Sequence, residues 1–145
     1  MRYRFADEVL ALELTPRARI EIRKTFPPGD DALSGPAGPD RVPNSLVLEL
    51  LAMAGGHLIF RRLGERRLPL LLKAREARFQ GCARPGAPLR AVAELVASSS
   101  APDGTTLAEI SGAVYAGTEQ IASGQLLYLC VSVPGTALGP SAREA

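Results

Sequence analysis

Few residues in this chain have the type and spacing to do chemistry. It has one histidine, His57, and two cysteines, Cys82 and Cys130, with no CxxC motif. A single imidazole excludes by arithmetic a zinc site built from Cys and His. A Ser-His-Asp or Cys-His nucleophilic site would have to use His57. No base adjoins either cysteine in the sequence, so buried or inert thiols are expected. The carboxylate that stands out is Glu49, inside the apolar run Leu46 to Phe60. A carboxylate there is costly to bury unpaired. Glu49 should therefore face a cavity, accept a hydrogen bond, or pair with a cation such as Arg41 or Arg78. A nearby helix N-terminus would favour its anionic form. The plainer alternative is a structural ion pair.

Three other sets of residues compete with Glu49. Asp30 and Asp31 lie in a Pro/Gly-rich stretch. A loop aspartate serves as a base only where its surroundings raise its pKa toward neutrality. Otherwise it is a solvated turn former. His57 follows Glu49 by eight residues. On one helix that is a rise of about 12 Å and an offset of roughly 80°, too far for a shared hydrogen bond. The alternative for His57 is a packed or interface histidine. Arg61, Arg62, Arg66, Arg67, Arg75 and Arg78 cluster after the apolar run. They would steer an acidic partner, or they are a solvated helix end in a chain whose basic residues are all arginine except Lys24 and Lys73.

The elements that position these residues follow from pattern. The chain has 145 residues, 46% hydrophobic and 22% charged, which is the composition of one globular domain. Its formal net charge of +2 argues against a dedicated nucleic-acid binder. The N-terminus has no apolar signal core. The run Leu46 to Phe60 is shorter than the ~20 residues that span a bilayer. A cytoplasmic protein with reduced thiols and no membrane span is expected.

Leu10 to Leu14 and Ala18 to Arg23 alternate around Thr15-Pro16-Arg17, which predicts a hairpin. Residues 27–44 are rich in Pro and Gly and form a loop, long enough to be either functional or a floppy insertion. Asn44 or Ser45 offers a helix N-cap, and one helix is predicted over Leu46 to Leu63. Arg61 and Arg62 suit its C-terminal dipole and Gly64 its C′ position. The helix is apolar on nearly every side, which predicts burial all round. Gly55-Gly56 in its interior costs on the order of 1 kcal/mol per glycine, offset by close approach of a strand or a second chain. Four strands follow, Leu70 to Phe79, Leu89 to Ser98, Thr105 to Ala116 and Gln120 to Val133, with a turn at Pro102-Asp103-Gly104. The reading is a single α+β domain over 1–134 with a frayed tail at 135–145.

This order of elements, with these residues, resembles the hotdog fold, an antiparallel sheet wrapped around one long central helix. More closely it resembles the β-hydroxyacyl-acyl-carrier-protein dehydratases of the FabA/FabZ type. The likeness covers about Tyr3 to Val133. Phe5 to Glu13 is similar to that family's "FLLVDRVLELE" start, and Val42 to Gly56 to its "VMPGVLMLEAMAQAGG" helix. Ala77-Arg78-Phe79 with Arg84 to Leu89 is similar to "ARFKRPVVPGDQL". The segment from Ser111 onward is similar to "GKATVDGEVVAEAEL".

The resemblance implies a dimer whose sites are shared by two chains. It also implies a histidine base on the loop and an acidic residue on the helix, acting on a 3-hydroxyacyl thioester. Glu49 falls on the helix carboxylate. The histidine does not carry over, because counting back from Glu49 lands on Gly35. A shifted match of Phe26-Pro27-Pro28-Gly29 places Asp30 there instead. The family's glutamine after the helix alanine is Met53 here. The same likeness makes Gly35, Gly38, Pro43, Met53 and Phe79 candidate substrate-binding residues, and Arg61, Arg62, Arg66 and Arg67 a candidate carrier-docking surface. No cofactor is implied. The implied partners are an acyl carrier protein or an acyl-CoA thioester, and either a second copy of the chain or a histidine-bearing homologue that completes the site. Three functions stay open: a dehydratase-like lyase of fatty acid or polyketide-type synthesis with an incomplete catalytic pair, a hotdog thioesterase using Glu49, and a non-catalytic acyl-binding subunit.

Overall fold

The computed structural model describes residues 6–30, 33 and 40–132. The expectations for Gly35, Gly38 and the C-terminal tail lie outside them. The described chain forms β1 (Glu8–Glu13), β2 (Arg19–Lys24), α1 (Asn44–Arg62), β3 (Arg67–Phe79), β4 (Leu89–Ser100), β5 (Thr106–Ala116) and β6 (Glu119–Ser132). The strands make one antiparallel six-stranded sheet in the order β1-β2-β4-β5-β6-β3, and α1 lies across it. This is the α+β arrangement expected from the sequence, with strand ends shifted by no more than three residues.

Alternation explains why these segments are strands. In β2, Ile20 and Ile22 are fully buried under the helix while Arg19, Glu21 and Arg23 point outward. In β4, Leu89, Ala91 and Ala93 are buried, and Leu95, which continues their alternation, is half-buried. The outward residues pair across strands: Arg90 meets Glu21 at 3.1 Å and Arg23 meets Glu8 at 3.2 Å. The turn at Pro102-Asp103-Gly104 closes β4 onto β5, with Asp103 Oδ1 accepting the Thr105 N–H at 2.9 Å.

The helix departs from expectation at two points. Its start is Pro43, whose carbonyl accepts the N–H groups of Leu46 and Val47 at 3.0 and 3.2 Å. Asn44 and Ser45 are thus already in the first turn, and neither side chain caps it. The helix is also not buried all round. Val47, Leu50, Leu51, Ala54, Gly55, Leu58 and Ile59 are buried, a single face of a 3.6-residue period. The opposite face carries Glu49, exposed, and Met53, His57 and Phe60, half-buried. The reason is geometric: the sheet of this chain covers only one side.

Gly55 explains how close that contact is. A Cβ there would lie 2.7 Å from the Tyr128 Oη and 2.8 Å from the Ile110 Cγ1, so the helix approaches β5 and β6 more closely than any side chain permits. Gly56 meets nothing nearer than 3.7 Å. At the other end Gly64 takes the left-handed conformation, φ 73°, as expected for C′. Glu65, also left-handed, returns its carboxylate to Arg61 at 3.2 Å.

The described part of the Pro/Gly-rich loop is pinned. Phe26 O accepts the Gly86 N–H at 2.8 Å, Leu33 is 2% exposed, and Val42 bridges Ala83. The 83–86 segment therefore holds both ends of the loop that leads into α1.

Among the described residues no helix is long and apolar enough to cross a membrane.

Candidate functional site

The tight turn after α1 sends β3 back beside the second half of the helix. Pro69 lies opposite Cys130 and Leu71 opposite Tyr128 in the β3–β6 pairing. Both β3 residues therefore point to the side on which Cys130 and Tyr128 are buried, the helix side. Between them and the helix is a cleft of about 310 Å³. From α1 it takes Ala52, Met53, Gly56, His57 and Phe60, which recur at the helical spacing of one face. From β3 it takes Leu68, Pro69 and Leu71, and Tyr128 of β6 completes it. The wall is apolar except for an imidazole and a phenol.

The phenol is committed to the backbone. Tyr128 donates its hydroxyl hydrogen to the Ala52 carbonyl at 2.6 Å and accepts the Gly56 N–H. It therefore bonds to both members of one helical rung. Burial holds its pKa well above the ordinary tyrosine value, with Cys130 adding to the rise and the Gly56 N–H opposing it. The ring is a neutral strut between sheet and helix.

His57 is half-buried on the cleft wall. Burial lowers its pKa, the Arg61 guanidinium lowers it further, and Glu65 partly opposes them. At neutral pH the imidazole is therefore neutral, with one N–H donor and one acceptor nitrogen.

Glu49 stands one helical turn before Met53, on the exposed side of the first half of α1. It is not part of the cleft wall. Neither expected cation pairs with it: Arg41 instead donates to the Cys82 Sγ at 2.8 Å, and Arg78 forms no ion pair with it. The side of the helix that bears Glu49 is open to water, so burial imposes no need for a partner.

The other candidates fall in different places. Asp30 is exposed in a turn, its N–H on the Pro27 carbonyl, and does not border the cleft. Pro43 is the helix N-cap and Met53 is on the cleft wall. Phe79 is at the far end of β3, 38% exposed and away from the cleft. Arg62 and Arg66 are exposed, beyond the Phe60 end of the cleft. Arg61 is paired with Glu65, and Arg67 donates to the Ser132 Oγ at 3.3 Å and packs over Gly104. Arg75 is taken up by Glu109 at 2.7 Å. Cys130 is fully buried, and burial pushes its thiol pKa up, as suits an inert cysteine.

Phe60, Leu68, Pro69, Leu71 and Tyr128 were not singled out by sequence. The alternation around Tyr128 marks it as inward-facing, but only the pairing of β3 with β6 brings it beside Pro69 and Leu71. A second groove, about 350 Å³ on the other face of the sheet, has Arg90 stacked on Tyr115 at 4.5 Å. Its two arginines are already paired with Glu21 and Glu8.

No protein-family model and no curated protein sequence matches this chain. Its structure is similar to several that have been solved. One is yhdA of Lactococcus lactis, provisionally named a thioesterase, with a TM-score of 0.69 and 8% identity over 87% of this chain and 94% of that one. Another is a hot-dog-like protein of Thermanaerovibrio acidaminovorans, with a TM-score of 0.65 and 13% identity over 88% and 90%. A third is the fluoroacetyl-CoA-specific thioesterase FlK, solved as a variant in complex with fluoroacetate and CoA, with a TM-score of 0.65 and 14% identity over 81% and 94%. At such identities the likeness is one of fold. The chain has the hotdog fold, as its element order and motifs lead one to expect. None of these three neighbours is named a dehydratase, and the narrower likeness to the FabA/FabZ type gains nothing from them.

Proposed function

We propose that this chain binds acyl thioesters and hydrolyses them. The observation that carries the reading is the apolar cleft along α1, with Glu49 on the same side of the helix one turn before it. Cavities of this size and lining suit a largely apolar group. An acyl chain lies in the cleft and its thioester carbonyl lies toward Glu49. Glu49 takes a proton from water as the water oxygen bonds to the carbonyl carbon. The carbon–sulfur bond then breaks, the acid is released, and the departing thiolate takes up the proton. This needs a carboxylate and no loop histidine. Two of the fold neighbours bear thioesterase names, which supports the reading without deciding it.

The working unit is a homodimer. β3 is a sheet edge of 13 residues, and Leu68, Leu70, Leu71 and Leu72 on it are between 43% and 54% exposed. An apolar edge of that length invites pairing with a second copy. The thiol carrier is CoA or an acyl carrier protein, both anionic, and Arg62 and Arg66 offer complementary charge.

The dehydratase reading rests on the sequence motifs around Glu49. It lacks an imidazole at the matching loop position, Gly35. One experiment separates the readings. The purified protein is incubated with acyl-CoA and 3-hydroxyacyl carrier-protein thioesters, and both free thiol and intact carrier mass are followed. Release of thiol, lost in Glu49→Gln, is the expected result. Loss of water with the thioester intact would replace hydrolysis by dehydration. Binding without either product would leave a non-catalytic acyl-binding subunit, and a histidine-bearing partner would then be sought by pull-down.

A further inference from the structure

Two adjacent glycines in the middle of α1 answer to different constraints. A glycine inside a helix is destabilising relative to alanine, so each calls for a compensating reason. Gly55 has its reason in the fold, because a Cβ there would lie 2.7 Å from the Tyr128 Oη. Gly56 has no reason of that kind. It lies within the helix, where any residue adopts the backbone conformation. A Cβ there would meet the Tyr128 Cε2 at 3.7 Å and the Pro69 Cγ at 3.9 Å, which are ordinary contact distances. Tyr128 and Pro69 both line the cleft, and so does Gly56. Packing within the protomer therefore permits a side chain at Gly56, and the space it would fill is cleft.

We propose that Gly56 is a specificity-determining residue: by carrying no side chain it keeps the cleft open for the far end of a medium-chain acyl group. The inference deepens the acyl-thioester reading and rests on it. The helix supplies the ruler. Gly56 follows Glu49 by seven residues, a rise of about 10.5 Å along the axis. An extended carbon chain advances about 1.2 Å per bond, one third of the span of an extended residue. With the thioester carbonyl beside Glu49, the chain comes level with Gly56 at about its eighth or ninth carbon. A six-carbon acyl group ends short of it. The cleft volume sets the upper bound. At about 30 Å³ per methylene, the share of one liquid water, the cleft of about 310 Å³ holds about ten carbons. The favoured substrate class is thus a straight acyl thioester of about nine or ten carbons. By the same measure each carbon added at Gly56 takes up about a tenth of the cleft, at the level of the chain end.

The test compares chain lengths on the intact protein. The kcat/KM ratio of decanoyl-CoA to hexanoyl-CoA is measured together with the calorimetric Kd ratio of S-decyl-CoA to S-hexyl-CoA, thioethers that cannot be hydrolysed. Each buried methylene is worth about fourfold in affinity. The wild type should therefore favour the longer chain at least tenfold. Gly56→Ala should lower both ratios about fourfold, and Gly56→Val at least tenfold. Thermal unfolding verifies that each variant is folded. A merely structural role for Gly56 would change activity on both chain lengths alike and leave the ratios where they were. Ratios unchanged in both variants overturn the proposal. A changed oligomeric state with unchanged ratios also overturns it, and assigns Gly56 to the approach of a second chain. If the wild type hydrolyses no thioester but the thioether ratio falls in the variants, the hydrolase reading fails and the role of Gly56 stands. Binding of neither thioether by the wild type overturns both.

Discussion

The two halves of helix α1 present the same side of one helix to very different surroundings. In the first half, Glu49 is exposed and no other element of the described chain walls it in. In the second half, Met53, His57 and Phe60 face β3 across an apolar cleft, and Tyr128 ties the helix to the sheet at the Ala52–Gly56 rung. The cause is the path of the chain. The turn at 63–66 returns β3 beside the C-terminal half of the helix only. Within one protomer, the apolar cleft and the Glu49 carboxylate are therefore built separately, one by packing and one by exposure. The helix connects them in line.

That contrast can be broken at either end. The largest effect is expected at the exposed half. Glu49→Gln should lower kcat for thioester hydrolysis by about 10²-fold or more, the scale of losing a positioned proton acceptor, with no change in Tm beyond error, since Glu49 is exposed. A Tm change comparable to that of a core variant would show that its role is structural.

The second test is at the anchored half, where Gly55→Ala and Gly56→Ala should act in opposite directions. The Gly55 methyl would collide with a hydroxyl held by Ala52 and with Ile110. A cost of about 1–3 kcal/mol is expected from overpacking. The Gly56 methyl meets ordinary contacts, so helix propensity should stabilise the fold by up to about 1 kcal/mol. Denaturant unfolding of the pair is the measurement, and equal effects would contradict the close approach at Gly55.

Tyr128→Phe is the third and milder test. It removes the hydroxyl but leaves Ala52 and Gly56 able to bond to each other as an ordinary rung. The loss should be about 0.5–1.5 kcal/mol. If unfolding is unaffected, the phenol is not the strut described.

The smallest effect concerns pH. The pKa of His57 is lowered in the fold from its usual value near 6.5. The unfolded chain therefore binds the proton first as pH falls, and stability should decline from about pH 6.5 down to the lower folded value. Above that window the group contributes no pH dependence. Subtracting the Tm–pH profile of His57→Gln from that of the wild type isolates this slope. A slope of the opposite sign would mean a charged, stabilised imidazole.

The sequence conveyed the fold better than the site. Period-two alternation over Ala18 to Arg23 set Ile20 and Ile22 on one face, because burial acts on every second residue of a strand. Gly55-Gly56 marked a close approach, and Gly55 proved to be where it occurs. The helix N-cap was misread because the carbonyl of Pro43 opens the first turn where Asn44 or Ser45 had the conventional side chain. The helix was misread as buried all round because apolar residues at Met53 and Phe60 line a cleft, and cleft and core draw on the same residue types. The placement of β3 beside β6, which brings Pro69, Leu71 and Tyr128 together, is a long-range pairing that no local pattern encodes. His57 was legible as the lone imidazole, but its place on the cleft wall required the structure.

The central claim is that the cleft beside the second half of α1 holds the acyl group, and methionine labelling tests it most directly. The chain has two methionines, Met1 and Met53, and Met53 is on the cleft wall. With ¹³C-methyl methionine the protein gives two methyl signals, which Met53→Leu assigns. Titration with decanoyl-CoA should shift the Met53 signal in a saturable way, with the midpoint of the calorimetric Kd. Binding that leaves the Met53 methyl unmoved would place the acyl group elsewhere and contradict the account.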